Sequence, residues 1–158
     1  MAAGLGSRYG GSKQVDGIGP NNEILMEYSI YDALRAGFNK VVFIIKPEME
    51  ELMERICGNY LRKRTALDGT PVEVAYAFQD FSSVPDFYHI PVERTKPFGT
   101  VHALLCAAQA VHEPFCVINA DDYYGIDAYR TIYKELTALP ESGRGTMVGY
   151  LLKNTRSE

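Results

Sequence analysis

The residues with the clearest chemical potential form a glycine-rich turn at the start of the chain. Four glycines fall within positions 4 to 11, and Arg8 and Lys13 stand among and just after them. Glycine lets the backbone approach a ligand closely, and the N–H groups of such a turn can bind phosphate oxygens. A guanidinium adds a bidentate phosphate contact and an ammonium adds a point charge. These residues predict a phosphate-binding turn.

The turn fits neither of two common phosphate-binding motifs. The dinucleotide pattern GxGxxG requires a glycine where Tyr9 stands. The P-loop pattern GxxxxGK[ST] aligns Gly6 and Gly11 but then meets Ser12 and Lys13 in the wrong order. A flexible glycine-rich terminus is the structural alternative, although such a linker has no need of paired cations.

Helices and strands alternate along the rest of the chain. The apolar spacing predicts helices over 27–37, from Pro47 to about Arg64, over 100–112 and over 127–139. Strands are predicted over 40–46, 71–78, 115–119 and 146–152. This alternation favours a parallel sheet with helices on both faces, in which ligands bind at the carboxyl ends of the strands. The proline-punctuated connection 79–98 is long enough to suggest a functional loop.

Composition narrows the class of protein. The 158 residues suit one domain, and 46% apolar with 23% charged residues exclude a disordered tail, a fibre or a coiled coil. A net charge of −4 argues against nucleic acid as a partner. The apolar run Val41–Ile45 is too short to span a membrane. Cys57, Cys106 and Cys116 lack metal-site or disulfide spacing, so we expect free thiols and a cytoplasmic protein.

The first segment resembles a known family signature. The run from Ala2 through Gly4 and Gly6 to Arg8, followed by Lys13, is similar to the signature of nucleotidyltransferases that make sugar nucleotides. The family often has a proline before this lysine, and here there is none. The pair Lys13-Gln14 also resembles the cytidylyltransferase branch of the superfamily.

Two later segments strengthen this resemblance. The segment 96–107 resembles the start of the family's Gly-x-x-x-Ala helix, in the uridylyltransferase form that has His102 before the alanine. The segment 115–122 resembles the strand that ends in Gly-Asp, with Ala120 in place of the glycine. The resemblance runs from Met1 to about Leu152, and three motifs in one order are more specific than any one alone.

The resemblance implies a role for each matched position. Arg8 would hold the β- and γ-phosphates and the departing pyrophosphate, and Lys13 would lie near the α-phosphate, which makes these two the catalytic residues. Asp121 would bind Mg²⁺, whereas Asp122 has a turn or cap as its structural alternative. Gln79 would read a base edge, although 19 residues separate it from Gly99. The expected nucleotide-binding residues are Ala2, Ala3, Gly4, Gly6, Ser7, Gln79, Gly99 and Thr100, with an ordinary helix N-cap as the alternative for the last.

The implied reaction is nucleotidyl transfer from a nucleoside triphosphate to a sugar 1-phosphate, with Mg²⁺ as cofactor and release of pyrophosphate. The alternatives are cytidylyl transfer to a polyol phosphate and an inactive nucleotide-binding module. The expected partners are therefore a nucleoside triphosphate and a phosphorylated small molecule, with no nucleic acid and no membrane, and a homo-oligomer is left open.

The resemblance also implies the fold and its extent. We expect a single nucleotidyltransferase-like domain over residues 1–158, of the α/β class, as a Rossmann-like three-layer sandwich with a mostly parallel central sheet. A phosphate-binding turn normally follows a strand, and the printed sequence places none before it. We therefore expect the first strand and a C-terminal acceptor-binding part to be missing, so that this short chain can itself be inactive.

Overall fold

The computed structural model of the protein describes residues 1–2, 19–21, 23–96, 98–139 and 143–155. Two strands, β1 (Lys40–Ile45) and β2 (Glu73–Phe78), pair in parallel, with Lys40 opposite Glu73 and Ile45 opposite Phe78. The helices are α1 (Leu25–Ala36), α2 (Glu50–Met53), α3 (Asn59–Leu61), α4 (Thr100–Cys106) and α5 (Ile126–Ala138). The predicted strand–helix alternation is therefore present as a parallel pair with helices packed around it.

Helix α1 has clear signals at both ends. The Glu27 side chain accepts a hydrogen bond from the Ile24 N–H at 2.8 Å, which satisfies one of the donors left free at a helix start. Gly37 ends the helix with φ +120°, a conformation that glycine adopts readily. A Cβ at Gly37 would lie 2.5 Å from the Tyr133 ring, so glycine also lets α1 pack closely on α5.

The helical segment between the strands is continuous but irregular. It begins with the 3₁₀ turn Pro47–Met49, continues as α2, passes through a π-helical turn at Glu54–Gly58 and ends in α3. At its end Arg62 forms an ion pair with Glu54, and Arg64 lies 4.3 Å from the centre of the Tyr60 ring. Arg62 and Arg64 are therefore held by local contacts at the end of this helical segment.

Two apolar clusters cover the two faces of the sheet. One packs α1 and the helical segment 47–61 against one face, with Phe43 and Ile45 at its centre. The other packs α4 against the opposite face, around Ile44 and Ala77. Ile45 is fully buried, which matches the prediction that this strand is covered on both sides.

Three predicted elements differ from the structure. Residues 115–119 and 146–152 are not strands, because among the described residues no neighbouring strand completes a ladder with them. Helix α4 ends at Cys106, and turns replace the predicted continuation to His112. The described fold is therefore a mixed α/β fold with a small parallel sheet, and it does not contain the full three-layer sandwich.

Candidate functional site

The carboxyl ends of the extended segments meet at one edge of the fold. The Ala2 N–H donates to the Ile44 carbonyl at 2.8 Å, and the Gln79 N–H donates to the Ile45 carbonyl at 2.8 Å. The Ala120 N–H donates to the Met1 carbonyl at 3.1 Å. These bonds bring the chain start, the end of β1, the end of β2 and the turn at Ala120 together, as the rule for ligand sites in parallel sheets predicts.

Asp121 lies at this edge, directly after the buried Ala120. Its side chain is exposed, and its negative charge attracts the Met1 ammonium. Burial nevertheless lowers the pKa of that amino group, because desolvation outweighs the attraction. The exposed carboxylate of Asp121 can interact with a charged ligand. Asp121 is also the residue that the sequence analysis predicts as the metal ligand.

The turn that carries Asp121 is fixed by its neighbours. The Asp122 carboxylate accepts hydrogen bonds from the Asn119 amide at 2.9 Å and from the Tyr124 hydroxyl at 3.3 Å. The buried Ser29 hydroxyl donates to the Asp122 carbonyl at 3.1 Å. These bonds support the interpretation of Asp122 as a turn residue, because its carboxylate bonds to residues of the same turn.

Helix α1 supports this turn through residues that the sequence analysis did not identify. Besides the Ser29 contact, the Tyr123 hydroxyl donates to the Asp32 carboxylate at 3.0 Å, and Asp32 is 7% exposed. The available signal was weak: Ser29 is a polar residue beside the apolar side of the predicted helix, and the position of Asp32 gave no signal. Lys46, which directly follows β1 at the same edge, was also missed.

Gln79 is buried at the end of β2 and joins the long loop to α4. Its amide donates to the Phe98 carbonyl at 2.7 Å and lies 3.4 Å from His102 Nδ1. The 19 residues between Gln79 and Gly99 therefore loop out and return to the same place. The nitrogen of the Gln79 amide thus holds the end of the loop against α4.

Gly99 and Thr100 begin α4 at this edge. Gly99 is the N-cap, with an extended backbone, and no side chain caps the helix. The interpretation of Thr100 as an ordinary N-cap is therefore wrong, because it is the first residue of the helix itself. A Cβ built on Gly99 would meet no atom of the described residues within 4 Å, so these residues leave open space above this backbone. The first N–H groups of a helix lack intrahelical partners and suit a ligand acceptor atom.

The structure thus places Ala2, Gln79, Gly99, Thr100 and Asp121 at one edge of the fold. The other predicted residues, Ala3, Gly4, Gly6, Ser7, Arg8 and Lys13, lie outside the described residues, so their positions stay predictions. They follow Ala2 along the chain, and Ala2 is buried between β1 and Ala120. Ala2, the last described residue before this segment, therefore lies at the predicted edge of the sheet.

Metal-binding side chains are sparse in the described part of the chain. It contains no group of three or more His, Cys, Asp or Glu residues arranged to hold an ion. Cys57, Cys106 and Cys116 are free thiols, and burial raises the pKa of Cys57 to about 12. Of the described His, Cys, Asp and Glu residues, Asp121 is the one predicted to bind a divalent ion at this edge. The other ligands of such an ion would come from elsewhere.

Two cavities lie away from this edge. One, of about 790 Å³, is formed by residues 112–118, α5 and residues 143–150. The other, of about 520 Å³, lies between α1 and residues 56–64. Neither is lined by a predicted site residue. The candidate site is an open edge, and the enclosed space belongs to other parts of the molecule.

Comparison with known proteins gives one clear result. The family model described as nucleotidyl transferase matches residues 10–157, which is nearly the whole chain. No curated protein matches the chain. Among the described residues, no helix has both the length and the apolar character needed to cross a bilayer.

Proposed function

This chain belongs to the nucleotidyl transferase family, and from that membership we propose that it transfers a nucleotidyl group from a nucleoside triphosphate to a sugar 1-phosphate. A phosphate oxygen of the acceptor attacks the α-phosphorus and forms a new P–O bond. The bond between the α-phosphorus and the bridging oxygen breaks, and pyrophosphate leaves with that oxygen. The family supports the general reaction; the acceptor class is our proposal.

The observation that carries the proposal is the shared edge. Three separate segments bring an exposed carboxylate, a helix start with open space above it and a buried glutamine to the place where Ala2 leads into the glycine-rich turn. Nucleotidyl transfer needs little covalent work from a protein and depends on holding two anions in line. Such an edge supplies backbone donors for this purpose.

In the proposed site the cations come from the turn. Arg8 binds the β- and γ-phosphates and the departing pyrophosphate, and Lys13 stabilises the charge that develops at the α-phosphate. Ala2, whose own N–H donates to the Ile44 carbonyl, begins this segment, and Gly4 and Gly6 present backbone to the base and phosphates, with Ala3 and Ser7 beside them. Removal of one such charged donor typically costs about 3–4 kcal/mol of transition-state stabilisation.

The residues present fit a magnesium ion. Mg²⁺ binds proteins through one or two carboxylates, with substrate phosphates and water as its other ligands. Asp121 provides one exposed carboxylate at the edge, and we assign it as the ligand. The ion would neutralise phosphate charge when bound.

In the proposed site, the groups that contact the nucleotide base lie on the α4 side of the edge. Gly99 and Thr100 offer the free N–H groups of the helix start, and the Gln79 carbonyl offers an acceptor beside them. A base edge carries both donors and acceptors, so this pair can recognise it. Their different chemistry suits the discrimination of one base from another.

The test is a pyrophosphate-release assay with four nucleoside triphosphates, a panel of sugar 1-phosphates and polyol phosphates, with and without Mg²⁺. We expect turnover with a sugar 1-phosphate only when Mg²⁺ is present. Turnover only with CTP and a polyol phosphate would replace the proposed acceptor. If the protein binds no nucleotide in the presence or absence of Mg²⁺, the proposed function is wrong.

Asp121→Asn tests the metal assignment. It removes the charge and keeps the shape, so we expect turnover to fall at least about 100-fold, since metal charge stabilisation contributes several kcal/mol. The matched control is Asp127→Asn, an exposed carboxylate on α5 that pairs with Arg130 at 3.2 Å. Equal turnover in the two variants would remove Asp121 from the site.

A further inference from the structure

The cavity between α1 and residues 56–64 has an apolar floor, and we call it the tyrosine cavity after the rings at its mouth. Its volume is about 520 Å³. Ile30 and Leu34 of α1 line it together with Cys57 and Leu61 of the facing segment, and all four side chains are buried. Cavities of about 300–1,000 Å³ with mostly apolar walls are typical binding sites for small molecules. The floor therefore suits the apolar body of a small ligand.

Tyrosine rings form the mouth of the tyrosine cavity. Tyr31 of α1 is 47% exposed, Tyr60 of the facing segment is 52% exposed, and Tyr28 lies one helical turn before Tyr31. Within the described part of the chain, none of these three rings packs against another aromatic ring. Aromatic rings attract one another in edge-to-face and offset stacks. The mouth is therefore suited to a planar aromatic ring.

One cation, Arg64, lines the same cavity. Its guanidinium lies 4.3 Å from the centre of the Tyr60 ring and 6.0 Å from the centre of the Tyr31 ring, so it lies near a ring from each side of the cavity. Arg64 forms no ion pair with any described residue. The N–H groups of a stacked guanidinium point outward in its own plane, where a carboxylate can accept two of them. Arg64 is therefore placed to bind the anionic group of a ligand.

A second cation stands at the same end of the mouth. The Arg35 guanidinium lies 5.6 Å from the centre of the Tyr31 ring, and it too has no ion pair within the described ranges. Arg35 and Arg64 thus flank one ring, and no described carboxylate neutralises either of them. Clustered charges of one sign raise the local potential and attract counter-ions. An anionic ligand is therefore attracted to this end of the cavity.

The two carboxylates of the cavity lining belong to the start of α1. Glu27 accepts a hydrogen bond from the Ile24 N–H at 2.8 Å, and Glu23 accepts one from the Asn21 side-chain amide at 2.8 Å. Because a helix rises about 1.5 Å per residue, Glu27 lies about 12 Å along α1 from Arg35. A ligand with several negative charges would bring some of them toward these carboxylates. The cavity therefore favours a ligand with one anionic group.

From these observations we propose that the tyrosine cavity binds an aromatic molecule that carries a single carboxylate. The aromatic ring packs against Tyr31 and Tyr60 above the apolar floor, and the carboxylate accepts two N–H groups of Arg64. None of the residues that line this cavity belongs to the predicted nucleotide site. The inference is therefore independent of the proposed function.

The carboxylate distinguishes this ligand from a neutral aromatic molecule and from a nucleotide. A neutral ring would displace water from the Arg64 guanidinium without supplying an acceptor, which costs free energy. A nucleotide brings a polar base, and the aliphatic floor offers that base no hydrogen-bond partner. An aromatic carboxylate satisfies both the floor and the cation.

The experiment titrates naphthoate, a planar aromatic carboxylate, into the complete chain and follows its binding by calorimetry and by amide chemical shifts. The comparison ligand is naphthalenemethanol, which keeps the ring and lacks the charge. We expect naphthoate to bind at least tenfold more tightly, because the charged pair with Arg64 adds to the same ring contacts. The amide signals of α1 and of residues 56–64 should shift.

Two variants separate the cation from the rings. Arg64→Gln should weaken naphthoate binding at least tenfold and leave naphthalenemethanol binding nearly unchanged. Its control is Arg55→Gln, an exposed arginine of the same helical segment that does not line the cavity. Tyr60→Ala should weaken both ligands at least fivefold. Its control is Tyr88→Ala, which removes a ring of similar exposure (46%) from the long loop. Neither control should change the affinity for naphthoate.

Three outcomes would overturn the proposal. Equal affinity of the parent and Arg64→Gln for naphthoate would show that Arg64 does not bind the carboxylate. Equal affinity of the parent for the two ligands, or no binding of naphthoate, would show that the cavity does not select an anionic ring. Amide shifts confined to Gln79, Gly99 and their neighbours would place naphthoate at the candidate nucleotide site.

Discussion

At Gly99, the free N–H groups of the α4 start lie beside space that the described residues leave open. Its backbone is extended, a Cβ there would meet no atom of the described residues within 4 Å, and its carbonyl accepts the Ala103 N–H at 3.1 Å. The described part of the fold therefore sets no steric need for glycine at this position. A requirement for glycine would instead come from a ligand that lies against the backbone.

Gly99→Ala distinguishes a need for glycine in the fold from a need for glycine in ligand binding. We expect the free energy of unfolding to stay within about 0.5 kcal/mol of the parent, while nucleotide affinity falls at least fivefold because the methyl group enters the ligand's space. Titration of nucleotide against the folded protein measures the affinity, and urea unfolding measures the stability.

The control for this variant is Gly145→Ala, where a Cβ also meets nothing within 4 Å. It should change neither quantity. If Gly99→Ala binds nucleotide as tightly as the parent does, the space above α4 is not part of the site.

At the scale of elements, α1 determines how firmly the turn that carries Asp121 is held. The Ser29 hydroxyl is completely buried and donates to the Asp122 carbonyl. Together with the Tyr123 to Asp32 contact, it joins the turn after Ala120 to residues of a helix that lie 93 and 91 positions earlier in the chain. The position of Asp121 thus depends on helix packing as well as on its own loop.

Ser29→Ala should loosen this turn. Loss of the buried donor leaves the Asp122 carbonyl without that partner, so we expect a loss of about 1 kcal/mol in the free energy of unfolding. Turnover should fall less than in Asp121→Asn, with a higher Mg²⁺ requirement. Urea unfolding and a Mg²⁺ titration of activity measure the two effects.

Thr137→Ala serves as the matched loss of a hydroxyl, since the Thr137 hydroxyl donates only to carbonyls of its own helix. It should leave both readouts near those of the parent. A Ser29→Ala protein with unchanged stability would show that α1 does not hold the turn.

The accuracy of the prediction for each helix or strand depends on how much of its signal lies in its own residues. Helix α5 and strand β1 were predicted almost to the residue, since apolar spacing and a β-branched run carry their own information. The segments 115–119 and 146–152 have equally strand-like composition but are not strands here. A strand needs a partner's peptide groups, and no local pattern encodes where that partner stands.

At the scale of the whole molecule, the Met1 amino group makes stability depend on pH. Its pKa lies below the ordinary value of 8.0 because desolvation outweighs the attraction of Asp121. Between the lowered pKa and 8.0 the unfolded chain binds more protons than the folded one. The free energy of unfolding should therefore increase as pH rises through this window.

Urea unfolding at a series of pH values from 6 to about 9 measures this slope. The comparison is the same chain acetylated at its amino terminus, which has no charge there and should lack this increase. If both proteins show the same pH dependence, the Met1 amino group is not buried where it contacts the Ile118 carbonyl.

Sequence by itself determined the family, the parallel β1–β2 pair and the helices on both faces, and it predicted a set of residues for nucleotide chemistry. Each of these follows from residue types at short spacing, where propensity, periodicity and motif order act locally. The tertiary structure alone decided that Gln79 reaches the start of α4 across its long loop, that Ser29 holds the turn beside Asp121 and that the Met1 amino group bonds to the Ile118 carbonyl. These contacts join residues far apart in the chain, and only the packing of the two apolar clusters brings them within reach of one another.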